Sequence, residues 1–556
     1  MYGKFSVRRD EGEHSALQEA GRNDKIRDEK MGTQHDQTDM YRLNKAQQLR
    51  SLITDSLPST VPGHDPKRNF RFVSIVGYAV IIGSSWEFAL IVAGISTLNG
   101  GPAGAIWMFF VTCVGMMLST LSMAEMASMG QYHWVSEFAP RPHQKFLSYM
   151  VGLLSCYPGW VSALGWQTAL VVTAYTAAQQ FEALIALNVP SYRIQGWHGT
   201  LLSIAVAVFA IIFNTALARK LPLFEVLVGA LNVMGFAAFL AVLWTMTPLQ
   251  HDETDDTQRK KEAWTEFQDN AGWGSVGLAT LVGILGPSVT LIGADSACHL
   301  SEEVWDASWV LPRSMVVTAA INYTVGFVMT VTVMMTVGDH ASELLDSRTG
   351  QVYVQILLDV TQSRAGTSVL TALMAVLLLF CAVNGVTTSS RQLFAFARDN
   401  GLPCSRWLAT VPAGWDIPIN AVMTTLIITA LLSLIIIGSS IAFNVITAIG
   451  QVGLYTSYII TLGAIIARRF SRRRGPLPRS RFDLGRAGLP INLGALAFLV
   501  VMFPFLFFPS APNPSPAEMN WSCLVYSFVV VFAMMYYFFK GRYVYQGPVE
   551  YVRKDI

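Results

Sequence analysis

Twelve runs of about twenty predominantly apolar residues follow one another between positions 72 and 539, each long enough to cross the ~30 Å hydrocarbon core of a bilayer as a helix. They are 72–98, 103–129, 146–181, 200–217, 223–246 and 276–298, then 315–337, 368–390, 419–437, 441–467, 491–509 and 521–539. None of the 39 Lys and Arg residues falls inside a run, whereas a soluble chain would scatter them over its helix surfaces. Charged residues make up 14% of the sequence, against roughly 25% in an ordinary soluble domain. Lipid offers backbone polar groups no partner, so such runs must pair their own N–H and C=O groups as helices. The fold class is an all-α membrane protein with twelve transmembrane helices. The third run exceeds one upright helix and is expected to tilt or to end at an interface.

Connecting segments carry the orientation signal. With the N-terminus on the cytoplasmic side, the inner segments hold 23 Lys and Arg and the outer ones 6, omitting the distal tail. The excess predicts both termini in the cytoplasm. Residues 1–67 are polar, bear charges of both signs and lack apolar clusters, which predicts a disordered cytoplasmic tail. No signal peptide is evident, so the first span is expected to direct insertion. The expected organisation is therefore a tail over 1–67, a twelve-helix domain over 68–539 and a cytoplasmic C-terminal tail over 540–556.

Several functional classes fall away. The net charge of +2 gives no global basic field for nucleic acid. Cys113, Cys156, Cys298, Cys381, Cys404 and Cys523 have no metal-ligand spacing and read as small buried hydrophobes. No nucleophile–base pair, phosphate loop or metal cluster appears, so neither an enzyme nor a cofactor is implied. No obligate protein partner is indicated. The sequon Asn520-Trp521-Ser522 abuts the last run, which argues against its use.

Polar groups inside spans are expensive, and each invites a functional reading. The first run carries Gly83-Ser84-Ser85-Trp86-Glu87 near its middle, where a glycine followed by two serines can let the helix unwind. Exposed backbone N–H groups can then hold a carboxylate; close helix packing by small residues is the plainer alternative. The sixth run carries Gly286-Pro287-Ser288 and then Gly293-Ala294-Asp295-Ser296-Ala297. Pro287 removes a donor and kinks the helix, and Asp295 sits in a stretch able to break it. A carboxyl group taken out of water can trade a proton near neutral pH; the alternative is a structural partner for a backbone N–H. His299, Glu302 and Glu303 follow, as a gate or as salt bridges at the cytoplasmic mouth. Trp86, Trp160 and Trp166 offer an aromatic cage for an ammonium group, or packing aromatics. Asn232 fits a polar role or a helix–helix hydrogen bond. Asn384 and the cluster Thr387–Ser390 fit an ion site or, more simply, packing.

Breaks in the first and sixth helices together suit an architecture of two five-helix inverted repeats, whose site lies where the two interruptions meet. Repeat 1 would span about 72–246 and repeat 2 about 276–467, with extra helices over 491–539.

An ordered set of motifs supports a family resemblance. Ala124-Glu125-Met126-Ala127-Ser128, Gly130-Gln131-Tyr132-His133-Trp134, Gly165-Trp166-Gln167 and Gly293-Ala294-Asp295 are followed by His299-Leu300-Ser301-Glu302-Glu303. Pro312-Arg313, Ala397-Arg398-Asp399-Asn400-Gly401-Leu402-Pro403, Met519-Asn520 and Gly547-Pro548 complete it. Together they resemble fungal amino acid/choline permeases of the amino acid–polyamine–organocation superfamily over roughly residues 67–550. One departure is that Met129 runs straight into Gly130, where family members carry several more residues.

The resemblance implies a five-plus-five inverted repeat (LeuT-like) with two C-terminal helices and uptake of GABA, other small amino acids or choline. It aligns Gly83, Ser84 and Ser85 with a carboxylate-binding break and Gly293 and Ala294 with the sixth-helix break; over the bound substrate Trp86 or Trp166 is expected to act as a lid. Proton coupling or gating would fall to Asp295, Glu87, Glu125, Glu302 and Glu303. Expected partners are the small-molecule substrate, membrane lipid and a proton as co-substrate. The plasma membrane is the expected location, with the vacuolar membrane as alternative. A choline permease and a non-transporting nutrient receptor of the same fold are the competing readings.

Overall fold

The computed structural model describes residues 70–545 except 130–143, 152–158, 218–219, 248–259, 338–346, 413–416, 439–440, 472–476, 478–479 and 517. The N-terminal tail, the C-terminal residues 546–556 and the connection following Met129 lie outside the described residues. Twelve helices are long and apolar enough to cross a membrane: Phe72–Ile91, Gly101–Ser128, Trp160–Asn188, Gly196–Ala216, Leu221–Met246, Val276–Ser301, Ala307–Thr336, Arg364–Arg398, Ile419–Gly438, Ile441–Phe470, Gly485–Phe507 and Ser522–Val544. Exposed Leu227, Val233, Met234, Ile427, Leu431 and Phe528 give the outer helices an apolar surface that suits lipid and not water.

Two boundaries depart from the sequence reading. The third run is not one long tilted helix over 146–181: a short helix, Gln144–Val151, precedes the span Trp160–Asn188. Gly159 takes the extended conformation of a helix cap and marks where the span begins. The eighth helix runs from Arg364 to Arg398, well past 368–390, because Arg391 within it finds a carboxylate partner in Glu303. Cys298 and Cys381 are buried as expected, Cys404 and Cys523 are exposed, and Cys156 lies outside the described residues.

Packing follows the inverted repeat. The second span lies along the seventh, the third along the eighth and the fourth along the ninth, each against its counterpart. The third and tenth spans approach closely where Gly453 faces Gly165: a Cβ on Gly453 would stand 2.9 Å from the Val161 carbonyl oxygen. Small residues at such a crossing let two backbones meet. The tenth span is largely enclosed and the twelfth almost wholly peripheral.

The first and sixth spans, the two interrupted ones, are clasped at both ends. Asn99–Gly100 pairs antiparallel with Gln268–Asp269. At the other end Phe70 bridges Val304, with Phe70 N–H donating to the Glu303 carbonyl at 3.1 Å and Trp305 N–H to the Phe70 carbonyl at 3.0 Å. Phe70 and Tyr545 mark the terminal face.

Candidate functional site

Both expected interruptions are present. The first span is helical over Phe72–Gly83 and again over Ser85–Ile91; between them Ser84 takes φ 37° and ψ 43°, a left-handed conformation uncommon for a residue with a Cβ. The Ser84 hydroxyl donates to the Ile81 carbonyl at 2.6 Å, and that local bond helps to hold the turn. First-turn N–H groups of the second piece have no intrahelical acceptor. The sixth span is helical over Leu285–Leu291. Ile292 then turns extended and Gly293 takes φ 104°, a conformation that essentially requires glycine. The chain resumes as a 3₁₀ helix over Ser296–Glu303. Its break leaves the last carbonyls of Leu285–Leu291 without intrahelical donors. The Ser85 hydroxyl donates to the Thr290 carbonyl at 3.1 Å and ties the two interruptions together.

Between them lies a niche of about 60 Å³, lined by Gly83, Ile292 and Gly293 at the breaks and by Trp166, Thr173 and Gln451 from neighbouring spans. It adjoins a vestibule of about 520 Å³ reaching the face opposite the termini, and the two share Phe88, Val172, Val289, Thr447 and Gln451. Two buried polar atoms on the niche-lining residues have no partner: Trp166 Nε1, a donor, and Gln451 Oε1, an acceptor. Buried polar groups are almost always paired, so these two stand out among the niche-lining residues. Around the vestibule the one charged lining residue among those described is Glu518. Its carboxylate accepts the Ser515 hydroxyl at 2.9 Å and the Ser515 N–H at 3.2 Å, and these bonds hold its pKa below the usual 4.5.

Of the expected binding residues, Gly83, Trp166 and Gly293 line the niche. Ser84 and Ser85 shape the break, with their hydroxyls committed to backbone carbonyls. Ala294 is buried beside Gly293. Trp86 turns toward Phe236 and Phe239 of the fifth span and donates to Asn232 Oδ1 at 3.2 Å. Asn232 in turn donates to Glu87, so it is a bridge between helices. Trp160 packs edge-on against Phe532 and tilted against Tyr536 of the twelfth span, and donates to the Tyr149 hydroxyl. The three tryptophans thus serve three different contacts, and Trp166 alone among them lines the niche.

Asp295 is fully buried just below the break, accepting the Tyr458 hydroxyl at 2.6 Å, with His299 Nε2 3.6 Å from its other oxygen. His299 packs edge-on against Trp166, ring centres 5.4 Å apart, so it lies deeper than the mouth. Glu303 pairs with Arg391 at 2.5 Å, as a gate or interfacial salt bridge would. The Glu302 side chain lies outside those described. Glu125 is fully buried and pairs with Arg469 at 2.5 Å while accepting the Leu484 N–H at 3.3 Å. Asn520 is buried, its amide committed to the Leu506 and Phe508 carbonyls, which leaves the sequon no free nitrogen. Ser389 donates to the Trp166 carbonyl at 2.8 Å, and Thr387 to Asn214 at 2.5 Å. Sequence reasoning missed Gln451, Phe88 and Thr447. The signal that could have found Gln451 is an amide in the midst of the apolar tenth run.

The amino acid permease family profile matches residues 72–529. An uncharacterized amino-acid permease of Schizosaccharomyces pombe is 27% identical over 475 residues, covering 85% of this chain and 80% of that protein. A second one from the same organism is 26% identical over 516 residues, covering 89% and 88%. The choline transporter of Saccharomyces cerevisiae is 26% identical over 484 residues, covering 86% and 82%. With twelve membrane-spanning helices, a niche between two interrupted ones and a family match over most of its length, the chain is an integral membrane transporter and belongs to the amino acid permease family.

Proposed function

We propose that the protein is a secondary active permease for small amino-acid-like zwitterions, with GABA the favoured example. The carrying observation is the niche between Gly83 and Gly293. On one side the helix restarting at Ser85 offers N–H groups and the positive end of its dipole to a carboxylate. On the other, the carbonyl end of Leu285–Leu291 suits an ammonium group, and Gln451 Oε1 adds an unpartnered acceptor. Trp166 closes the niche from the third span. Rocking of the bundle around this fixed site would alternate access. The vestibule lies open opposite the terminal face, while Arg391–Glu303 and the Phe70–Val304 bridge close the terminal face. The 23-to-6 excess of Lys and Arg supports a cytoplasmic terminal face and uptake from the opposite side, with the plasma membrane as the location. Buried carboxyls at Glu87, Glu225 and Asp295 support a proton as co-substrate.

A second reading, a choline permease, is favoured by the choline transporter among the relatives and by Glu518 as the described charge of the vestibule. Labelled GABA and labelled choline, offered with an amino-acid panel to a permease-deficient host, separate the readings. GABA uptake that excess choline leaves untouched supports the zwitterion; uptake of neither rejects both. Gln451→Leu should raise KM for GABA about tenfold, the order expected when one hydrogen bond to a charged group is lost. An unchanged KM removes the niche as the binding place.

A further inference from the structure

A second polar constellation lies away from the niche, toward the terminal face. Glu225 stands near the start of the fifth span, where a Cβ on Gly77 of the first span would come within 3.0 Å of the Glu225 carbonyl oxygen. Its side chain is buried. Oε2 accepts Asn384 Nδ2 of the eighth span at 3.0 Å, and the same nitrogen donates to the Tyr78 carbonyl at 3.2 Å. The Tyr78 hydroxyl donates back to the Asn384 carbonyl at 3.1 Å and pairs with Thr388. Glu225 Oε1 and Asn384 Oδ1 are both buried and both without a donor.

A carboxylic acid and a primary amide can form a cyclic pair. The amide N–H donates to one carboxyl oxygen, and the acid O–H donates to the amide oxygen. In this cluster the first bond is made, and the two oxygens that the second would join are the two without a donor. A proton on Glu225 Oε1 would give that oxygen a hydrogen to donate. Without it, Glu225 would be a buried charge that no cation pairs with among the described residues, a costly arrangement.

The groups facing Glu225 are Tyr78 of the first span, Cys381 of the eighth, and beyond Tyr78 the Arg391–Glu303 pair. Glu87 acts on Cys381 as well. The seventh span contributes uncharged Asn322, bonded to the Val80 carbonyl at 3.4 Å. The short helix Val352–Thr361 meets the fifth span at its other end, through Tyr353 against Phe239. Asp295, by contrast, already faces Tyr458 and His299.

Resting on the transport reading above, we propose that Glu225 and Asn384 form the binding site for the coupling proton, separate from the solute niche. The carboxylate takes up one proton while the vestibule face is open. It returns that proton to water at the terminal face once the Tyr78 layer and the Arg391–Glu303 pair separate, and no other bond changes.

The test uses full-length protein in liposomes with labelled GABA and choline, as wild type, Glu225→Gln, Glu225→Asp and Asp295→Asn. Glutamine keeps a hydrogen donor for Asn384 but binds no proton. Glu225→Gln should therefore exchange tracer within about threefold of wild type, yet lose about tenfold or more of the accumulation driven by a pH gradient. Glu225→Asp should regain it. Infrared spectra of wild type should contain a carboxylic-acid carbonyl band that Glu225→Gln lacks. Undiminished pH-driven accumulation in Glu225→Gln, or uncoupling by Asp295→Asn with coupling kept in Glu225→Gln, overturns the proposal. Should Glu225→Gln fail to assemble, the band must persist at a shifted frequency in Glu225→Asp, and an unshifted band overturns the assignment. Wild type that carries the band but moves no tracer overturns the transport reading and the coupling role, while supporting the protonated pair.

Discussion

Replacing Gly293 by alanine tests the sixth-span break with the smallest possible change. The residue sits at φ 104°, where a Cβ meets its own backbone. Strain of this kind costs on the order of 1–3 kcal/mol. Crowding adds little, because the new Cβ would stand 3.8 Å from the Trp166 ring, ordinary contact distance. The cost therefore falls on the broken conformation and not on the packing around it. If the break is the binding conformation, about 1–3 kcal/mol translates into a 5- to 150-fold loss of apparent affinity. Tracer exchange in liposomes at low GABA or choline concentration reads that loss, and an unchanged rate at saturating concentration confirms that it is affinity. Gly463→Ala in the tenth span is the control, because a Cβ there meets nothing within 4 Å and alanine favours the helix. Gly293→Ala protein that exchanges and melts as wild type would refute the reasoning, since a positive φ at that position could not then be required.

Two further outcomes follow from charges outside the niche. Arg469→Met leaves fully buried Glu125 without its cation and should lower stability by about 3–5 kcal/mol, read as thermal melting in detergent; adding Glu125→Gln should restore most of the loss. Glu518 is held in its charged form by the Ser515 hydroxyl and N–H, with its pKa depressed below 4.5. The sign is that the negative charge persists as pH falls through the ordinary glutamate range and is lost only in stronger acid. Glu518→Gln should accordingly slow choline entry at low salt, by nearly the same factor at pH 4.5 as at pH 7. An effect halved at pH 4.5 would reject the depressed titration.

Much of the fold can be read from the sequence because lipid imposes one rule on every span. A run of apolar residues free of Lys and Arg has to be a helix, and twelve such runs became twelve helices. The breaks were legible too, since Gly83-Ser84-Ser85 and Gly293-Ala294-Asp295 are segments in which a membrane helix has local reason to stop. Helix ends were not. Hydropathy falls at Arg391, yet the helix continues because Glu303, 88 residues away in sequence, pairs with the charge. In the niche, Gly83, Trp166 and Gly293 could be anticipated. Gln451 was overlooked although its amide stands out in the tenth run, because that run also carries Asn444, Thr447, Thr456 and Ser457 and nothing local says which of these polar groups faces a cavity. Glu225 was hidden differently. It follows Arg219 and Lys220 closely and so reads as an interfacial carboxylate, whereas its burial is decided by Gly77 and Asn384, far off along the chain. Trp86 shows the converse: its place beside the break suggested a ligand contact, and helical geometry turned it toward the fifth span.

The two clasps on the interrupted spans are unlike in chemistry, and this makes ionic strength a lever on the protein's resting state. At the end opposite the termini the fastening holds no ion pair among the described residues: it is the two-residue backbone ladder, with Asn99 bonded to the Ser510 carbonyl and receiving the Trp273 indole N–H. At the terminal end it is reinforced by Arg391–Glu303 and by Arg481–Asp306, whose side chains remain partly exposed. Dissolved ions weaken exposed charge pairs and leave amide bonds nearly untouched. Brine on the terminal face would thus loosen one clasp and spare the other, favouring whatever form opens on that face.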